Sequence, residues 1–256
     1  MIETSSLGKL VIKANGQIVS DQMKQSSKVW QLLNLLIINR NKPISTAVLC
    51  EAIWDDDYEG DTSKAVQNLI YRLRRMLMNN DCVIYKNKTY MLNPETEWHI
   101  DVYELEDNFQ KSQNASLSPQ KKIEILNQII ALYNGEYMLQ LFCNETQTYV
   151  AVNRYKRMYI ESVCMLTDLY GEQKEYDKVY TICEKAIELE PMEEPLYIRI
   201  AESMRQANKT AQALKLLDFY FDSLQRKMGI TASDAIIGLY TELNKELTHS
   251  KRRIPF

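Results

Sequence analysis

The stretch from Thr62 to Leu92 constrains this chain more than any other. From Thr62 to Leu77 the apolar residues Val66, Leu69, Ile70, Leu73 and Leu77 recur at helical spacing and share one arc of a wheel turned by about 100° per residue. That periodicity predicts a helix with this face buried. The opposite and flanking arcs are polar. Lys64, Asn68 and Arg72 form an i, i+4, i+8 stripe, with Gln67, Tyr71 and Arg75 beside it and Arg74 at the edge. Immediately afterwards, Cys82 to Tyr85 and Tyr90 to Leu92 flank a turn over Lys86, Asn87, Lys88 and Thr89, which predicts a hairpin with a basic tip. The stretch holds six Lys or Arg against one Asp, whereas the whole 256-residue chain has a net charge of −3. The basic character is therefore local, and local faces govern affinity for nucleic acid.

The residues ahead of this stretch complete a recognisable unit. Lys9 to Val19 reads as a small hairpin around an Asn15-Gly16 turn, with Leu10, Ile12, Ile18 and Val19 as its apolar positions. A first helix, capped by Ser26 or Ser27, carries Val29, Trp30, Leu32, Leu33, Leu36 and Ile37. A second, capped by Ser45 or Thr46, carries Leu49, Ile53 and Trp54, and an acidic loop from Asp55 to Asp61 follows. Two packed helices, a third with one apolar and one basic face, and a basic-tipped hairpin describe a winged helix-turn-helix. A helix fits the major groove of B-DNA while a hairpin tip reaches the neighbouring backbone. On that reading Arg72 suits a bidentate contact to guanine and Asn68 one to adenine, with Lys64 at the groove-entering end. A solvated surface helix would carry the same charges, but not the basic hairpin that follows.

Beyond Pro94 and a polar link to His99, helical pattern dominates. Asp101 caps a helix through Phe109, and Ser118-Pro119 opens one through Tyr133. Further helices are expected near 148–170, 176–189, 194–206, 210–227 and 233–248. The segment Glu175 to Val179 matches Lys209 to Ala213 at a spacing of 34 residues, the tetratricopeptide period. The first unit ends in Ala186 to Pro191, the small-residue-then-proline ending of such repeats, and the second lacks that proline. The fold class is thus mainly α: a winged helix-turn-helix (α+β) over residues 1–95, then an all-α tetratricopeptide-like domain over 100–250.

The segments Leu49 to Trp54, Tyr71 to Leu77 and Tyr90 to Leu92 resemble the OmpR/PhoB-type DNA-binding domain. The usual wing-tip glycines are here Asn87, Lys88 and Thr89. With the helical half, the chain resembles the SARP regulators (Streptomyces antibiotic regulatory proteins), in which such a reader precedes a bacterial transcriptional activation domain of tetratricopeptide-like helices. Leu132 to Tyr137 is similar to the LYxGE turn of that domain, and Leu224 to Thr231 to its LGI-P exit without the proline. The resemblance implies that Tyr71, Arg74, Arg75, Thr46 and Lys86 or Lys88 hold phosphates. It also implies that the acidic loop, Asp55, Asp56, Asp57 and Glu59, faces RNA polymerase, and that the protein binds promoter DNA as a homodimer or in tandem, as an activator. A receiver domain ahead of Met1 would make the chain the output half of a two-component regulator.

Other classes find less support. Seven Gly leave little for phosphate loops, and no nucleophile–base pair or metal set suggests an enzyme or a cofactor. The acidic loop begins like a calcium loop, but its twelfth position is Val66, on the buried face of a helix. Five scattered cysteines, Cys50, Cys82, Cys143, Cys164 and Cys183, fit reduced thiols. With no membrane span or secretory signal evident, a cytoplasmic protein is expected. His99 and His249 suggest no chemistry, the 16 tyrosines read mainly as core filler, and Lys251-Arg252-Arg253 reads as a frayed tail. Two alternatives stay open: a repressor sensing a ligand or peptide through the helical repeats, and a scaffold whose winged domain binds protein.

Overall fold

The computed structural model describes residues 1–20, 27–54, 60–142 and 146–252. Its strands are β1 (Ile2–Ser5), β2 (Val11–Ala14), β3 (Gln17–Ile18), β4 (Ile44–Ser45), β5 (Val83–Lys86), β6 (Thr89–Leu92) and β7 (Trp98–Ile100). Its helices are α1 (Ser27–Ile38), α2 (Thr46–Ile53), α3 (Thr62–Met76), α4 (Asp101–Ser112), α5 (Pro119–Leu132), α6 (Thr146–Glu172), α7 (Tyr176–Leu189), α8 (Glu194–Gln206), α9 (Thr210–Met228) and α10 (Asp234–Arg252). The chain divides into two units: Met1–Asp107 with Leu132–Arg157, and Asn108–Ala131 with the residues from Met158 onward.

The first unit is built around α1, which is buried on nearly all sides: Val29, Trp30, Leu32, Leu33 and Ile37 are each fully enclosed. A helix apolar all round must be covered all round, and α2, α3 and the 3-10 turn Met138–Phe142 cover it. Each such Leu, Ile or Val contributes roughly 1.5–3 kcal/mol by leaving water. Two polar side chains on this core are paired: Asn34 Nδ2 donates to Thr148 Oγ1 at 2.9 Å, and the Tyr103 hydroxyl to the Ile37 carbonyl at 3.0 Å. Arg40 grips both oxygens of Asp107 at 2.6 and 2.9 Å with its guanidinium over the Tyr103 ring, while Arg154 bonds Glu106 at 2.8 Å.

Two small sheets flank these helices. One has the order β3-β2-β1-β7, with β1 antiparallel to β2 and parallel to β7. Trp98 and His99, expected in a link between domains, are thus part of a strand. The other sheet has the order β4-β6-β5 and contains the wing. Asp101, expected as a helix cap, does more. Its carboxylate accepts from the Ser6 amide and hydroxyl, from the Leu7 amide at 2.8 Å and from the Val102 amide at 2.8 Å. Burial pushes its pKa up, and the Ser6 and Leu7 donors oppose that shift.

The Leu132 to Tyr137 motif lies against the same strand end. Gly8 N donates to the Glu136 carbonyl at 2.8 Å, and Met138 N to the Ser6 carbonyl at 2.7 Å. Gly8 is required there: it has φ +86°, and a Cβ would lie 2.2 Å from the Asn134 carbonyl oxygen.

In the second unit the 34-residue spacing reappears as geometry. Lys174 and Asn208 have φ of 60° and 59°, each just ahead of the residue that caps α7 or α9. The Glu175 and Lys209 amides reach back to Tyr170 and Met204, at 2.9 and 2.8 Å, in matching Schellman turns. The core holds Tyr197, Ala201, Ala213, Leu217, Tyr220, Ile236 and Leu243, with the rings of Tyr197 and Tyr220 stacked 4.1 Å apart. Tyr155, Tyr159, Tyr197 and Tyr220 are buried, whereas Tyr149 is exposed. Lys251 and Arg252 continue α10, and Arg253 lies outside the described residues, as does Cys143. The other four cysteines are free thiols. Among the described residues no helix is long and apolar enough to cross a membrane.

Candidate nucleic-acid interface

The N-terminus of α3 is fixed by Asp61, whose side chain accepts from the Lys64 amide at 3.0 Å and lies 3.4 Å from the Lys64 ammonium. These donors hold the Asp61 carboxyl below the usual carboxylate range. From that start the helix buries Val66, Leu69, Ile70, Leu73 and Leu77. Its other side is exposed at Ser63, Lys64, Gln67, Asn68, Tyr71, Arg72 and Arg75. These residues make two parallel i+4 ridges, Lys64-Asn68-Arg72 and Ser63-Gln67-Tyr71-Arg75. The Tyr71 ring is 61% exposed, with the Arg75 guanidinium 5.9 Å from its centre.

Arg74 stands apart from these ridges. It is half-buried, and its Nη2 donates to the Val83 carbonyl of β5 at 2.7 Å, so it ties α3 to the wing. Thr46 is also half-buried and binds the wing tip: its amide and hydroxyl both donate to the Lys88 carbonyl, at 3.0 and 3.1 Å. β4 pairs with β6 through Ile44 and Tyr90, and through Ser45 and Thr89.

Asn87 and Lys88 answer the question left by the missing glycines. Both take left-handed backbone, φ 52° and 60°, in a two-residue turn closed by Thr89 Oγ1 donating to the Lys86 carbonyl at 2.7 Å. Lys86 and Lys88 are exposed beside it.

The structure therefore places Lys64, Gln67, Asn68, Tyr71, Arg72 and Arg75 on one exposed face of α3 and Lys86 and Lys88 on the wing. It places Arg74 and Thr46 at the joints between them. Two residues were missed. Ser63 belongs to the second ridge by its i+4 spacing. Tyr85 is exposed on β5 with its ring 4.6 Å from that of Tyr90, a cross-strand pair visible in the hairpin register. Asp55, Asp56, Asp57 and Glu59 lie outside the described residues. Among the described residues no group of His, Cys, Asp and Glu could hold a metal ion.

The family model "Transcriptional regulatory protein, C terminal" matches residues 20–88, and the model "Bacterial transcriptional activator domain" matches residues 100–244. No curated protein matches the chain. Among solved structures it is similar in fold to Mycobacterium tuberculosis EmbR in complex with a low-affinity phosphopeptide. The two have 16% identity and a TM-score of 0.73, over 96% of this chain and 65% of that one. This chain thus spans less than two thirds of the EmbR chain. Its reader resembles the OmpR/PhoB type and its second match covers more than half of its length, so the chain belongs to the bacterial transcriptional activator domain family of transcription regulators, with the SARP-type pairing of domains.

Proposed function

We propose that the protein is a sequence-specific, promoter-binding activator that reads bases with α3 and holds the backbone with the wing. The exposed double ridge of α3 carries this reading. Ridge neighbours are about 6 Å apart along the helix axis, against a base-pair rise of about 3.4 Å, so successive members address bases about two steps apart. Arg72 meets guanine O6 and N7, and Asn68 meets adenine N6 and N7. Lys64 and Gln67 flank them. Tyr71, Arg75, Lys86 and Lys88 address phosphates, which sets affinity and salt dependence rather than sequence preference. Arg74 and Thr46 serve the backbone contact by fixing the wing.

Residues 1–95 form the reader and 100–250 the activation domain of this cytoplasmic protein. The acidic loop Asp55, Asp56, Asp57 and Glu59 meets RNA polymerase, and the helical half meets the polymerase or a second copy on tandem or dimeric sites. Genome-wide mapping of bound DNA would name the operator. Against a fragment so found, Arg72→Ala should lose about 1–3 kcal/mol and relax preference at one base pair. Equal binding by wild type and variant, with the same salt slope, removes the reading. Transcription with purified polymerase should rise on adding the protein; a fall makes it a repressor.

A further inference from the structure

Within the second unit, α6, α7 and α8 enclose a cleft of about 560 Å³, within the usual size of ligand sites. Val179, Ile198 and Tyr176 supply its apolar lining, and at Gly171 an added Cβ would meet nothing within 4 Å. The walls are acidic: Asp168 and Glu172 from α6, Glu202 from α8. The Arg199 guanidinium, also in the lining, grips both oxygens of Asp168 at 3.2 and 3.0 Å. Next to it Arg205 is shared by Glu202, Glu242 and Glu246, at 3.3, 3.6 and 4.0 Å. Along this face two guanidiniums thus serve four carboxylates, Glu172 adds a fifth negative charge that neither of them meets, and the face stays net negative with Glu202 sharing its arginine.

The buried hydroxyls do not decide what enters. Ser203 Oγ donates to the Tyr176 carbonyl at 2.8 Å, and Thr167 Oγ1 to the Val163 carbonyl at 2.8 Å. A metal ion does not fit, because no suitable ligand group exists among the described residues. Stacked helical repeats, by contrast, build concave surfaces suited to extended chains.

We propose that this cleft docks an extended segment of a partner protein that presents Lys or Arg side chains beside an apolar one. The apolar side chain rests on Val179 and Ile198 while the cations turn to Glu172 and Glu202. Acidic and phosphorylated segments are repelled. This site is separate from the DNA-reading residues and stands whether or not those bind DNA.

The test titrates the full-length protein with labelled peptides matched in length and leucine content, one series bearing Arg and the other Glu, read by fluorescence anisotropy. The Arg series should bind saturably and the Glu series should not. The double variant Glu172→Lys with Glu202→Lys should weaken the Arg series by about tenfold or more and gain binding to the Glu series. Glu172→Gln with Glu202→Gln should weaken the first without gaining the second, and melting curves verify that each variant is folded. Spermidine, a cation without apolar side chains, should compete poorly. The proposal is overturned if the Arg series fails to saturate, if both series bind alike, if folded variants keep wild-type affinity, or if spermidine displaces the peptide as well as unlabelled peptide does.

Discussion

Two hairpin turns in the first unit share one geometry and differ in what occupies it. Asn15-Gly16, between β2 and β3, has φ of 49° and 80°, and Asn87-Lys88, between β5 and β6, has 52° and 60°. Such left-handed pairs match the twist of the strands they join. Glycine enters that region freely, whereas a lysine Cβ crowds the following carbonyl at a cost of roughly 1–2 kcal/mol. In the wing the cost is offset by neighbours: Thr46 on the Lys88 carbonyl, Thr89 on that of Lys86, and Arg74 on that of Val83. The difference teaches that backbone economy is given up where a charge is wanted at the tip, and that the surrounding bonds over-determine the strained residue.

The comparison breaks most visibly at Arg74. Arg74→Met keeps the bulk but removes the charged donor to Val83, and should lower stability in urea by about 1.5–3 kcal/mol. No loss would mean that the wing holds itself. Exchanging the two turn residues sharpens the contrast. Lys88→Gly should raise stability by about 1 kcal/mol while making the salt slope of DNA binding shallower by about 0.9. Gly16→Lys should cost a similar amount, since its strain arises from φ alone with open space around it, and leave that slope as it was. The smallest effect is expected for Thr46→Val, which removes one of two bonds to the Lys88 carbonyl, roughly 0.5–1.5 kcal/mol by thermal unfolding.

Both the α3 face and the 34-residue repeat were legible because each follows a period carried by the residues themselves. Lys64, Asn68 and Arg72 needed only a helical wheel, and Glu175 and Lys209 only a ruler. The strand pair β1 and β7 was not legible. Ile2 to Ser5 is too short to show alternation, and its parallel partner Trp98 to Ile100 lies more than ninety residues away in a polar stretch. The bonds from Arg74 and Thr46 to the wing escaped for another reason. On a wheel or beside a cap the two look like surface residues, and only the fold brings Val83 and Lys88 to them. The wing tip was open in sequence because Asn87 and Lys88 tolerate the left-handed region without declaring it as glycine would.

The clasp at Gly8 has a consequence for the order of synthesis. The compact unit that contains the reader also has Tyr137, Leu139 and Ala151 in its core, and Thr148 holds Asn34. These residues are made well after the wing. A chain emerging from the ribosome therefore displays all of α3 and the wing before it can close the interior behind them. Ribosome-arrested chains ending near residue 107 should be cut within α1 by protease, and those that have exposed residue 157 should resist. The earliest sequence waits for a later one, so the first unit closes only with a segment that follows 24 residues of the second.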